Sequence, residues 1–245
     1  MYSPSSQKRG ATKMKAIFKR EMLAYFTSPL GFIFVGVFML LSGIFFGMYM
    51  FIAHIADING ILPICQMVLV LIIPIITMRL LSEERANKTD QLLLTAPVKI
   101  SSIVLGKFFA AYAIFLIAVA TTLFYAAIAA IFGSIVFGEV VLTYIAYLLL
   151  GALLIAIGLF ISSLTESQIV AAVATYGVVL LLFFSSAIKT NNAAIDAVLR
   201  YLNISVWAND FYRGVLAPKG AVYYLSFTIL FLILTIRSVE SRRWK

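Results

Sequence analysis

Apolar residues dominate the chain in long runs, and the charges fall between those runs. Crossing the ~30 Å hydrocarbon layer as a helix takes about 20 predominantly apolar residues. Runs of that order cover Leu30 to Ala53, Ile61 to Leu81, Ile103 to Phe132, Val140 to Ile161, Ile169 to Ile188 and Ala221 to Ile236. Each is expected to be helical, because lipid offers the backbone no hydrogen-bond partner. The third is long enough to tilt or break, and the sixth is short. A different pattern precedes the first span. In KAIFKREMLAYFTS, Lys15 to Ser28, the residues Met14, Phe18, Met22 and Tyr25 share one helical stripe, with Lys15 and Lys19 beside it. That is the pattern of an amphipathic helix lying in the interface, blurred by Glu21. Pro29 then turns the chain into the bilayer.

These patterns predict an all-α integral membrane protein with one domain. Residues 1–13 read as a disordered tail, 14–29 as an amphipathic connecting helix, 30–236 as a six-helix transmembrane domain and 237–245 as a basic tail. Composition supports lipid as the solvent, since a chain that is 63% hydrophobic over 245 residues exceeds what a soluble core of that size buries. The first apolar run is too long for a cleavable signal core and is expected to stay as an anchor.

Charge sets the expected orientation. Fifteen of the nineteen Lys and Arg residues lie in the amino-terminal segment, in the connection between spans two and three, and in the carboxyl tail. The remaining four, Lys189, Arg200, Arg213 and Lys219, lie between spans five and six. Basic residues near span ends are retained on the cytoplasmic side, so both termini are expected in the cytoplasm of a multi-pass protein. The net charge of +9 reads as topology and contact with anionic membrane lipid. Nucleic-acid binding is set aside, because these charges flank spans and form no basic domain.

The spans carry no Asp, Glu, Lys or Arg near their middles; Arg79 and Lys107 stand at span ends, from which long side chains reach headgroups. Gradient-driven carriers place charges mid-membrane despite a cost of about 2.5–3.5 kcal/mol each. His54 sits at the outer end of span one and Cys65 stands alone within span two, so neither offers a proton relay, disulfide or metal cluster. Gln66, Thr77, Thr121, Thr122, Thr175, Ser185 and Ser186 allow two readings, a polar path or hydrogen bonds between helices. No phosphate-cradling GxxxxGK[ST] loop is present: LGKFF, Leu105 to Phe109, lacks the upstream glycine and the following hydroxyl. Two glycines, Gly43 and Gly47 of GIFFG, share a face and are candidates for close helix packing.

One polar stretch breaks the pattern: SEERANKTDQLLLTAPVK, Ser82 to Lys99. Glu83, Glu84 and Arg85 extend the second helix past the lipid. Thr89 is placed to cap a short new helix with Asp90 in its first turn. Leu92, Leu93 and Leu94 supply apolar contact, Pro97 stops the helix and Ser101 is placed to cap the third span. A solvated loop whose leucines dip back into the interface is the alternative.

Three blocks, KAIFKREMLAYFTSPLGFIF, MRLLSEERANKTDQLLLTAPVKISSIVLGKFFAAY and FYRGVLAPKGAVYYLSFTILFLILTIRSVESRRW, in this order, resemble the permease subunit of an ABC transporter of the ABC-2 type. The likeness runs from Met14 to near the end. It is strongest to the bacterial branch associated with gliding motility and to related permeases of copper and nitrous-oxide-reductase maturation. In that family the middle block runs as two acidic residues, then Gly-Thr-x-Glu, Leu-Leu and Thr-x-Pro. Glu83, Glu84, Thr89, Leu92, Leu93, Thr95 and Pro97 match, whereas Lys88 replaces the glycine and Gln91 the glutamate.

The resemblance implies an ABC-2, or type V exporter-like, fold in the bacterial inner membrane. It implies two permeases, identical or paralogous, docked on a dimer of separate ATP-binding subunits. ATP and Mg would be bound by that partner; this chain would be no enzyme and hold no cofactor or metal. The polar stretch would be the coupling helix, with Glu83, Glu84, Thr89, Asp90, Leu92, Leu93, Thr95 and Pro97 toward the ATPase. Glu166 in SSLTESQ, Ser162 to Gln168, would be a second contact, and Lys15 to Ser28 would lie beside the coupling helix. Residues 189 to 220 would form a partly re-entrant outer cap, with Trp207, Phe211 and Tyr212 suiting an aromatic belt. Asn203-Ile204-Ser205 matches a glycosylation sequon. The functional expectation is an exporter permease. The alternatives are an ATP-driven mechanical scaffold for motility or for maturation of extracytoplasmic proteins, with an auxiliary extracytoplasmic partner, and a channel or ion-coupled carrier acting alone.

Overall fold

The computed structural model describes residues 4–52, 58–89, 99–132, 137–188, 190, 192–215 and 217–243. Among them, regular structure is entirely helical. Helix α1 (Pro4–Thr27) precedes α2 (Pro29–Gly47), which ends in a π-helical turn at Met48–Ile52. Next come α3 (Ile58–Thr77), α4 (Arg79–Ala86), α5 (Ile100–Phe132), α6 (Phe137–Leu164) and α7 (Gln168–Phe184). Short α8 (Ala193–Leu202) and α9 (Asn209–Tyr212) lead to α10 (Pro218–Arg243). Six stretches are long and apolar enough to cross a membrane: Pro29–Met50, Ile64–Ala86, Ile100–Ile131, Phe137–Leu164, Gln168–Ala187 and Pro218–Arg242.

Burial ranks these spans. The second and fourth are 67% and 61% buried, against 22–33% for the other four, so they form the centre of the bundle. Small residues on α6 let neighbours approach. A Cβ added at Gly158 would fall 2.6 Å from Thr77 Cβ, and one at Gly151 would collide with the Phe115 ring. Such small-residue contacts replace the hydrophobic driving force that helices lack in lipid. Of the GIFFG pair, a Cβ on Gly43 would lie 3.1 Å from the Tyr125 hydroxyl, while one on Gly47 would meet nothing within 4 Å.

Several expectations are revised. Residues 4–13, expected as a disordered tail, begin the α1 helix, for which Pro4 is compatible with a first-turn position. The third span does not break; it is one helix of 33 residues. The sixth runs past Ile236 to Arg243, where its last turns find polar partners: Ser163 Oγ bonds Ser238 Oγ at 3.1 Å and Arg242 donates to the Ser163 carbonyl. Ser101 lies inside α5, whose first bonds run from Ser102 N and Ile103 N to the Lys99 carbonyl.

The polar residues inside the spans are mostly occupied by bonding. Thr77, Thr121, Thr122 and Thr175 bond carbonyls three or four residues back. Gln66 accepts from Tyr212 Oη at 2.6 Å, and Ser185 donates to the Leu199 carbonyl at 2.9 Å. Of the two readings, hydrogen bonding within and between helices is the one the geometry favours. His54 lies outside the described residues.

The segment before α10 folds back onto the bundle. The buried Asn203 amide donates to Phe183 O at 2.7 Å and Ser186 Oγ at 2.8 Å, and its oxygen accepts from Ser205 N and Val206 N. Every polar atom of this side chain is engaged, so the sequon is a structural clamp. Tyr212 and Phe211 also turn inward, Phe211 to 2% exposure, so these two rings form no lipid-facing belt.

Candidate functional site: a charge hub around helix α4

The second span is interrupted at Met78, because another helix is spliced into its hydrogen-bond ladder. Ser162 Oγ, on α6, accepts from Leu81 N and Ser82 N at 3.1 Å each and donates to Met78 O at 2.9 Å. Met78 itself keeps helical φ −55° and ψ −35°, so α4 continues the line of α3 from a joint held by α6, and this joint was not legible in the sequence.

Beyond the joint, three consecutive residues point three ways. Glu83 pairs with Arg79 one turn back at 2.9 Å, and the Arg79 guanidinium lies 5.8 Å from the centre of the buried Tyr25 ring on α1. Glu84 pairs with Arg20 of α1 at 2.8 Å and with Lys107 of α5 at 3.0 Å. Arg85 reaches Glu166, in the α6–α7 connection, at 2.8 Å and the Ser163 carbonyl at 3.4 Å. Arg85 and Arg242 thus both place positive charge on the carbonyl end of α6, where the helix dipole is negative.

Lys107 is the surprise. Expected to reach headgroups, it is instead 2% exposed and holds both Glu84 and Glu21, the latter at 3.1 Å. A buried cation is tolerated when paired and hydrogen-bonded. Glu21, which blurred the amphipathic stripe, is what supplies this pairing. Burial pushes its carboxyl upward, but the charge of Lys107 and the hydrogen bonds from Arg20 and Lys107 outweigh that and hold it below the ordinary carboxylate range. Arg20, bonded to Glu21 at 2.9 Å, is shifted upward by that bond. A polar pocket of about 290 Å³ lies among these groups, bordered also by Asn87 and Thr89.

The position of α1 follows from the same contacts. Met14 O and Ile17 face Gly106, while Glu21 reaches the adjacent Lys107. Met14, Ile17 and Glu21 of α1 thus meet two successive residues of α5, which packs α1 against the early turns of that span. Ile17, Phe18 and Met22 are partly buried there, while Leu23 and Phe26 are exposed.

α4 ends in a defined cap. Lys88 N bonds Arg85 O at 3.0 Å and Thr89 N bonds Glu84 O at 2.9 Å, the two bonds of a Schellman motif. Lys88 carries φ 55°, the left-handed conformation that favours glycine. Thr89 closes α4, with its hydroxyl also on Glu84 O at 3.2 Å, and the helix it is expected to open lies outside the described residues. Asp90, Leu92, Leu93, Thr95 and Pro97 lie outside the described residues. The hub therefore brings together Glu83, Glu84 and Thr89 of the expected contact set, and ties Glu166 to them through Arg85. Gly43 and Gly47 lie apart from it. Among the described residues no cluster of three His, Cys, Asp or Glu side chains could hold a metal.

A helical membrane protein of six spans, with an ion-paired joint gathered at one end of the bundle, is the class this architecture defines. The family model described as "ABC-2 family transporter protein" matches residues 6–239, and the chain belongs to that family. Membership makes it a membrane subunit of an ABC system, in a family whose ATPase is a separate chain. Comparison with curated proteins returned no match.

Proposed function

We propose that the chain is the permease of an ATP-driven exporter in a bacterial inner membrane, with both termini cytoplasmic, working as a pair on two ATP-binding subunits. In motif content the chain resembles the gliding-motility-type branch, and we assign it there as part of this proposal. The observation that carries the mechanism is the double pairing of Glu84, at 2.8 Å to Arg20 and 3.0 Å to Lys107. Through it α4 is fastened to α1 and α5, and through Arg85 it is fastened to the α6–α7 connection.

ATP-driven closure of the partner would push on the segment after Thr89 and displace α4 as a unit. The joint at Met78 lets α4 turn on α3, and the ion pairs carry that movement to three other elements. Such a push shifts the permease pair toward one conformation by stabilising it over the other. Leucines 92 and 93 are the apolar part of the contact.

The test is copurification from native membrane. With the wild-type chain one ATPase is expected to come along, and Leu92→Glu with Leu93→Glu is expected to release it while the permease melts at the wild-type temperature. An ATPase that stays bound to the double variant with unchanged hydrolysis would overturn the proposal.

A further inference from the structure

The end of the bundle opposite the hub carries a second organised feature. A pocket of about 440 Å³ opens there, with Tyr201, Trp207, Lys219, Val222, Tyr223 and Phe227 in its lining. Trp207 and Tyr223 stack at 5.1 Å; Tyr201 meets them edge-on at 5.3 and 5.7 Å, and Phe227 lies 4.6 Å from Tyr223.

Two of the polar edges of these rings are already used. Trp207 Nε1 donates to Tyr201 O at 2.9 Å, and Tyr223 Oη donates to Leu202 O at 3.0 Å. Tyr223 is itself only 4% exposed, so what remains for a ligand is the open side of Trp207, Val222 and Phe227. The arrangement is also preformed: a Cβ on Gly220 would lie 2.8 Å from Trp207 O and 2.7 Å from the Phe211 ring, so the first turn of α10 is locked against the preceding loop.

Charge and depth then define the ligand. Lys219 is the one charged residue of the lining, and it stands in the first turn of an apolar span. Val222, Tyr223 and Phe227 follow on its side of α10, the last about 12 Å further along at 1.5 Å per residue. The pocket thus begins with a cation at headgroup level and runs toward the hydrocarbon between aromatic rings and Val222, which is 62% exposed. Tyrosine and tryptophan rings prefer this boundary.

We infer that this pocket binds a single anionic phospholipid, its phosphate on Lys219 Nζ and the upper part of one acyl chain over Val222 and the rings of Trp207 and Phe227. A zwitterionic lipid fills the same apolar volume but carries its own cation, so its phosphate gains less from Lys219. A sugar-like ligand finds few free donors or acceptors. The inference is independent of the ATPase partner.

Trp207 is its own reporter, since the chain has two tryptophans and the other is Trp244. In Trp244→Phe protein reconstituted in mixed vesicles, brominated phosphatidylglycerol in a phosphatidylcholine background is compared with the reverse labelling. Trp207 quenching is expected to show a preference for phosphatidylglycerol of about five-fold, the equilibrium factor of one lysine near anionic lipid. Lys219→Gln, an exposed change, is expected to abolish the preference while quenching by phosphatidylcholine persists. Equal quenching by the two lipids, a preference that survives Lys219→Gln, or no quenching by either because another protein surface covers the pocket would each overturn the inference.

Discussion

Lys107 Nζ, on a membrane-spanning helix, lies 3.0 Å from the Glu84 carboxylate of α4, and 2% of the lysine side chain is exposed. This contact joins the end of the second span to the third and, through Glu21 and Arg20, to the α1 helix packed beside them. Removing one partner of a buried charge pair costs more than the pair itself contributes, because the other charge stays buried alone. Lys107→Met is therefore expected to destabilise the protein by about 3 kcal/mol. Adding Glu21→Gln to that variant is expected to recover part of the loss. Thermal unfolding in detergent measures both.

Acid is expected to act through Glu21. Its folded carboxyl titrates below the ordinary value of 4.5, so its stabilisation is fully present above that pH and is lost as pH falls through the lower folded value. The unfolding temperature is expected to drop between about pH 5 and pH 3, with a shallower drop in Glu21→Gln. An identical slope in the variant would show that other carboxylates carry the acid response.

Ser162 holds the joint by satisfying three backbone groups that the broken ladder leaves free. Ser162→Ala is expected to cost about 1–3 kcal/mol, the range for leaving buried donors without a partner. If α4 turns on this joint, distances measured by spin labels between α4 and α6 should broaden in the variant.

Gly158 packs against Thr77 at the same joint. Gly158→Ala is expected to destabilise by about 1–3 kcal/mol through overpacking, and Thr77→Ala in the same chain is expected to restore part of it. Recovery in the double variant separates steric crowding from loss of backbone freedom.

At Lys88 the sign reverses. Its left-handed backbone costs about 1–2 kcal/mol for a residue with a Cβ. Lys88→Gly is expected to raise stability by about 1 kcal/mol after the added freedom of the unfolded chain is subtracted. Glycine, which the resemblance leads one to expect here, suits the Schellman geometry because it carries no Cβ.

By itself the sequence determined the spans, the fold class and the likeness to the ABC-2 family, because lipid imposes a length and a polarity on every crossing helix and the polar stretch after the second span is distinctive. It also placed α1 as a helix with one apolar stripe. It did not show what that stripe rests on. Lys107 and Glu21 looked like a headgroup-seeking cation and a flaw in a pattern, since nothing local in either segment says that they meet 86 residues apart. The contact at Met78 was equally hidden: Pro74 and the β-branched Ile75, Ile76 and Thr77 weaken the helix locally, but the hydroxyl that ties into the ladder comes from α6. Periodicity reports which face a helix buries; only the folded bundle decides which buried charges cancel and where a neighbouring side chain ties into a continuous apolar run.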